Sequence, residues 1–207
     1  MAPRPDVERS APVPFVGLTG GMGAGKSTAL DVLQRLGAAT LSTDAVVHEL
    51  YASPDLRDLV VARWGEDVAP GGVVDRAAIA TRAFGAPEER AWLEEQLWPR
   101  VGARIAAWRE EIAAVRPPPV AAVVETPLLF EAGMQGIYDA TVAVVADAAV
   151  RAERAGGRGH VGVDERATRQ LAQEEKARRA TYTVSNSGTL EELERELSGV
   201  LDRLTTP

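Results

Sequence analysis

Two hydropathy patterns alternate along the chain. Short unbroken apolar runs are separated by longer stretches in which apolar residues return every three or four positions. The first pattern predicts strands buried on both faces, and the second predicts amphipathic helices. Strand-like runs fall at 15–19, 38–43 (AATLST), 120–125 (VAAVVE), 140–146 (ATVAVVA) and 180–184 (ATYTV). After the first run, Ala29, Val32, Leu33 and Leu36 form a helical stripe that Gly37 ends. Ser42 or Thr43 is placed to cap a helix that starts near Asp44 and continues through HELY at 48–51. From Pro54 to about Val115 the helical spacing dominates, so this stretch reads as a mainly helical insertion. Its longest signal spans Pro87 to Val115, where Pro99 is expected to kink or split the helix. The prolines at 117–119 form a stiff connector into the third strand. Asp147 opens another helix, and the Arg- and Gly-rich residues from Arg151 to Gly162 read as a mobile loop. A charged helix through DERATRQLAQEEKARRA and a closing amphipathic helix over LEELERELSGVLDRL follow. Strands alternating with helices predict an α/β fold with a parallel five-stranded sheet.

Composition narrows the function. A length of 207 residues fits one domain carrying an insertion. The net charge of -7 disfavours a nucleic-acid binder, which needs a basic footprint. With no cysteine there is no disulfide framework, thiolate nucleophile or thiolate zinc site, and two histidines are too few for a dedicated transition-metal site. No apolar stretch is long enough for a membrane helix. The first 13 residues lack the apolar core of a signal peptide and read as a disordered leader. A cytoplasmic location and a monomer are compatible with all of this.

The chemistry begins at the end of the first strand. Gly20, Gly25, Lys26 and Ser27 satisfy G-x-x-x-x-G-K-[ST]. Phosphate oxygens must meet several backbone N–H groups at once. Glycines at 21, 23 and 25 let the chain wrap tightly, and the following helix turns its positive end to the anion. Gly21, Met22, Gly23, Ala24, Gly25, Lys26, Ser27 and Thr28 are therefore expected to cradle a nucleoside triphosphate. Lys26 would reach the β and γ phosphates, and Ser27 would ligate Mg²⁺. A chance glycine turn is disfavoured by the apolar strand before it and the amphipathic helix after it. No N-K-x-D guanine-reading motif is present, so a GTPase is not indicated. Asp44 closes the second strand on the same side of the sheet, where a carboxylate can take a proton from a substrate hydroxyl. By itself, Asp44 reads more readily as a simple helix cap.

Beyond these residues the chain resembles the dephospho-CoA kinase family. LTGGMGAGKST, TDAVVHEL, PLLFEAG, QLAQEEK and VSNSG carry the likeness in order, from Phe15 to Leu204. The resemblance implies a P-loop kinase domain over 14–204. Its core would be 14–53 and 119–204, with a helical acceptor-binding insertion at about 54–116 and a lid at about 151–166. It implies ATP with Mg²⁺ as donor and dephospho-CoA as acceptor, phosphorylated on the ribose 3′-hydroxyl in the last step of coenzyme A synthesis. Asp44 would be the base. Thr19, His48, Leu128, Leu129 and Glu131 would line the acceptor side. Arg154 and Arg158 would clamp the transferring phosphates from the lid, a task that suits the guanidinium fork. Arg166 would sit one helical turn before Gln170. Asn186 and Gly188 would lie in the turn against adenine. Several positions depart from the family pattern. Ser42 stands in place of an acid, His48 in place of an arginine, Trp98 in place of a histidine, Glu125 in place of an aspartate and Thr181 in place of an aspartate. A kinase for another nucleoside or small alcohol, and a non-catalytic nucleotide binder, stay open at this point. Trp64, Trp92 and Trp108 read as packing residues.

Overall fold

The computed structural model describes residues 12–156 and 170–206. Residues 1–11 of the expected leader, and Arg158, His160 and Arg166 of the expected lid region, lie outside them. The described residues form one sheet of parallel strands, β1 (Phe15–Gly20), β2 (Ala39–Ser42), β3 (Ala122–Glu125), β4 (Ala140–Val145) and β5 (Tyr182–Ser185), ordered β2-β3-β1-β4-β5. β1 lies in the middle and every one of its residues is buried, which explains its unbroken apolar run. The register aligns Leu18 of β1 with Glu125 of β3, and Glu125 with Ser42 of β2.

Helices cover both faces. On one, α1 (Lys26–Arg35) and the C-terminal helix α8 (Leu190–Thr205) press Val32, Leu33, Leu193 and Leu197 onto Val16, Leu18, Val123 and Val144. The helix α8 begins in a capping box between Thr189 and Glu192. On the other face, Ile105 and Trp108 of the long helix α5 (Pro87–Ala114) meet Phe15, Val124, Leu129, Phe130 and Tyr138. Gly17 belongs to this second face. A Cβ there would come within 2.6 Å of both Leu129 and Tyr138, so the ring of Tyr138 occupies the side-chain space of β1. That ring stacks on Phe15 at 5.0 Å.

The insertion has its own core. Leu56 and Val60 of α3 (Pro54–Trp64), Ile79 and Ala83 of α4 (Arg76–Gly85), and Leu93 and Leu97 of α5 pack together with Val68. Val47, Leu50 and Tyr51 of α2 (Thr43–Ala52) close this cluster against the sheet domain. Trp64 and Trp92 meet edge-on beside it at 5.1 Å. The helix α5 runs through Pro99 without dividing into two. Proline removes the donor that the Glu95 carbonyl would otherwise receive, and beside it Arg100 Nη1 donates to the Gln96 carbonyl at 2.5 Å.

Two segments differ from expectation. Residues 151–156 are not loop but the continuation of helix α6 (Ala148–Gly156). Alanine, arginine and glutamate are strong helix formers, and their propensity outweighs the glycines that follow. Conversely, Gln170, Leu171 and Ala172 are not helical, and the charged helix α7 spans only Gln173–Arg179.

Candidate active site

The phosphate loop leaves the C-terminal end of β1 and enters α1 directly. Gly23 and Gly25 hold positive φ angles of 73° and 86°, the left-handed conformation that suits glycine. Each also meets a neighbour: a Cβ on Gly23 would lie 2.6 Å from the Arg151 carbonyl oxygen, and one on Gly25 would overlap the Asn186 side-chain amide. Gly25 caps α1 without a side-chain bond, so the helix start is left to the loop itself. Lys26 Nζ donates to the Gly20 and Gly21 carbonyls at 3.2 and 3.3 Å, folding the lysine back over the loop. Ser27 and Thr28 are exposed on the first turn of α1.

The loop is braced from elements far along the chain. Asn186, 5% exposed, donates through Nδ2 to the Ala24 carbonyl at 2.8 Å. Its own carbonyl accepts from Arg154 Nη1 at 3.0 Å. Arg154, half-buried on α6, thereby lies against the loop at Gly25. Gln173 at the start of α7 makes a two-way bond with the backbone of Ala146 just past β4, its Oε1 accepting at 3.1 Å and its Nε2 donating at 2.8 Å. Its Cβ would stand 3.4 Å from a Cβ on Gly21. Gly188 is exposed, and a Cβ there would overlap the carboxylate of Glu192.

Asp44 lies on the same edge. Gly20 and Asp44 each follow the Leu18–Glu125–Ser42 row by two residues. Their strands are separated only by β3, so both lie at the C-terminal edge of the sheet. Asp44 is exposed in the first turn of α2. Ser42 occupies the cap position but makes no cap bond, because its hydroxyl donates instead to Glu125 Oε2 at 2.7 Å. Glu125, 6% exposed, is thus a buried carboxylate held between β2 and the phosphate loop. His48, one turn below Asp44, is exposed and in contact with Arg76 at the start of α4.

Behind the loop lies a buried cation that the sequence did not point to. Lys176 is 0% exposed, and its Nζ donates to the Pro127 carbonyl at 2.6 Å and the Thr19 hydroxyl at 3.5 Å. It pairs with Glu131 Oε1 at 3.0 Å, which also accepts from the Leu171 amide at 2.7 Å. Glu131 Oε2 is buried without a partner. Burial pushes the Lys176 ammonium below the usual lysine range, and Glu131 offsets part of that shift. Along α7 and at its C-cap, Gln173, Lys176, Ala177 and Ala180 are at least partly buried. The i, i+3, i+4, i+7 spacing was the available signal, hidden because two of the four side chains are polar.

The expected site residues therefore divide. The phosphate loop, Asn186 and Arg154 converge, while Asp44 and His48 lie on α2 at the same C-terminal edge of the sheet. Thr19 does not line a surface: it is fully buried and engaged with Lys176 and Pro127. Leu129 is fully buried in the core beneath the sheet, while Leu128 is half-buried. Glu131 is committed to Lys176 and Leu171. Among the described residues, no group of three or more histidine, aspartate or glutamate side chains could hold a metal alone, and no helix is long and apolar enough to cross a membrane.

Comparison with known proteins places this geometry. A family profile described as Dephospho-CoA kinase matches residues 14–192. The dephospho-CoA kinase of Deinococcus radiodurans is 41% identical over 193 residues, 91% of this chain and 91% of that protein. That of Moorella thermoacetica is 38% identical, covering 86% of this chain and 85% of its own length. A crystal structure from Thermus thermophilus superposes with a TM-score of 0.75 at 33% identity, covering 95% of this chain and 100% of that one. The dephospho-CoA kinase of Campylobacter jejuni shares the fold, with a TM-score of 0.67 at 19% identity over 92% of this chain and 96% of that one.

Proposed function

This chain belongs to the dephospho-CoA kinase family, and from that premise we propose that it transfers the γ-phosphoryl group of ATP to the ribose 3′-hydroxyl of dephospho-CoA, yielding coenzyme A and ADP. The observation that carries this reading is the register across β1, β3 and β2, which brings Asp44 and the phosphate loop to one edge of the sheet.

Phosphoryl transfer asks a protein mainly for position and for charge. The loop amides from Gly21 to Thr28 and the N-terminus of α1 hold the triphosphate. Lys26, now folded onto the Gly20 and Gly21 carbonyls, turns to the β and γ phosphates. Asn186 and Gly188 lie on the adenine side, where Asn186 also stiffens the loop at Ala24. Arg154 stands at the Gly25 end, half-buried beside Asn186, and its guanidinium supports the charge spread over the equatorial oxygens. Asp44 orients the attacking hydroxyl and accepts its proton as the new P–O bond forms. The donor set suits Mg²⁺, which takes few protein ligands and many from phosphate and water. The exposed Ser27 hydroxyl would ligate it, and Glu125, the buried carboxylate held by Ser42, would receive its water ligands. When bound, the cation neutralises the β and γ oxygens.

Asp44→Asn tests the assignment. The variant should lose turnover with dephospho-CoA by about a hundredfold or more, while ATP affinity measured by calorimetry stays unchanged. Full activity in that variant, or no turnover of dephospho-CoA by the unaltered protein, would sink the assignment.

A further inference from the structure

Helices α6 and α7 reach the phosphate loop through one residue, Ala146, just past the end of β4. Ala146 is 2% exposed, so its peptide groups must find partners within the protein. Gln173, the first residue of α7, accepts the Ala146 amide on Oε1 at 3.1 Å and donates through Nε2 to the Ala146 carbonyl at 2.8 Å. Arg151 on α6 donates through Nε to the same carbonyl at 3.2 Å. One buried carbonyl thus accepts from two helices, which fills both of its lone pairs. The two side chains also meet the loop. A Cβ on Gly21 would lie 3.4 Å from Gln173 Cβ and 3.7 Å from Arg151 Nη1, ordinary contact distances. The main chain of Arg151 closes on Gly23, where an added Cβ would come within 2.6 Å of its carbonyl oxygen. Gln173 and Arg151 therefore form an outer wall along the first turn of the loop, from Gly21 to Gly23. Inside that turn the Ala24 amide donates to the Gly21 carbonyl at 3.2 Å.

A glycine-rich turn has many shapes open to it, and few of them present its amides together. Holding the turn in such a shape before nucleotide arrives removes an ordering cost from binding. We infer that Gln173 and Arg151 are positioning residues of the donor site: clamped together on Ala146, they hold the Gly21–Gly23 turn in its phosphate-accepting shape. Neither residue is a phosphate ligand in this role. The inference rests on the reading of the loop as a triphosphate cradle, and it adds a brace distinct from the Asn186 bond at Ala24.

Calorimetry with ATP and with ADP on the full chain tests this, each variant being held below its melting transition. A parent protein that binds neither nucleotide refutes the cradle and the inference with it. Absence of dephospho-CoA turnover refutes the reaction but leaves the affinity test standing, since that test needs no acceptor. Gln173→Leu keeps the bulk of the side chain and changes no charge. It should weaken ATP and ADP alike by about threefold to tenfold, the worth of one neutral hydrogen bond. Arg151→Met should also weaken both. The double variant should lose more than the product of the two single losses, because it strips the buried Ala146 carbonyl of both side-chain donors. In steady state the KM for ATP should rise with these losses, while the KM for dephospho-CoA and kcat at saturating ATP stay within about twofold, because bound ATP itself holds the turn in shape. Affinities in the double variant within about twofold of the parent overturn the inference. So do single losses that simply multiply, a loss confined to ATP with ADP unchanged, or a fall in kcat with the KM for ATP unmoved.

Discussion

Lys176 offers the sharpest test of how the site is held. Its ammonium is fully buried and joins three elements: Thr19 at the end of β1, Pro127 after β3, and Glu131, which in turn holds the Leu171 amide. Lys176→Met keeps the length of the side chain and removes its charge and donors. Glu131 then faces the interior with only Leu171 on Oε1, while Oε2 already lacks a partner. Stripping one member of a buried pair typically costs about 3–5 kcal/mol, mostly from the charge left behind. Against a total stability of about 5–15 kcal/mol that is a large fraction. In urea, with a slope of at most about 3 kcal/mol per molar, the midpoint should drop by roughly 1 M or more. The second half of the test is Lys176→Met with Glu131→Gln. Removing the orphaned charge should recover a good part of the loss, since the glutamine carbonyl can still accept from Leu171. A single variant within about 1 kcal/mol of the parent, or a double variant no better than the single, would refute the argument that the pair is coupled through burial.

Asn186→Ala removes the donor that holds the Ala24 carbonyl; stability should fall by about 1 kcal/mol, and the KM for ATP should rise more than that for dephospho-CoA. Glu89 receives bonds from Arg63 and Trp64, which hold its carboxyl below the usual glutamate value of 4.5. A depressed pKa contributes stability above the unfolded value and loses it as pH falls through the folded one. Thermal melts from pH 7 to pH 3 should therefore show a shallower acid loss for Glu89→Gln than for the parent; identical slopes would contradict the shift.

The parts of this molecule that were legible in sequence are those where local pattern and tertiary role agree. β1 reads as a buried strand because both its faces are covered, and the phosphate loop reads from its glycines because its function is performed by backbone. Asp44 could be placed on the phosphate-loop edge because the end of a parallel strand has a defined side. The parts that were not legible depend on partners far away. Lys176 sits in QEEKARR, a charged run that looks solvated, and only the packing of α7 against β1 and β4 buries it. Thr19 and Leu129 flank the expected site in sequence, but Thr19 faces inward on β1 and Leu129, in the turn after β3, enters the core beneath the sheet. The same holds for Ser42, whose expected capping bond goes instead to a glutamate on another strand. Arg76 lies in the insertion, where sequence spacing says nothing about its distance from α2.

The bond from Asn186 to Ala24 spans 162 residues. It has a consequence for how the enzyme comes into being. The glycine signature is translated early, yet the loop it encodes is clasped by a residue from the turn after β5, the last strand to join the sheet. A growing chain must pass residue 186 and dock β5 on β4 before that clasp can close. The bracing of the phosphate loop is thus completed only late in synthesis, after the loop itself has long been made.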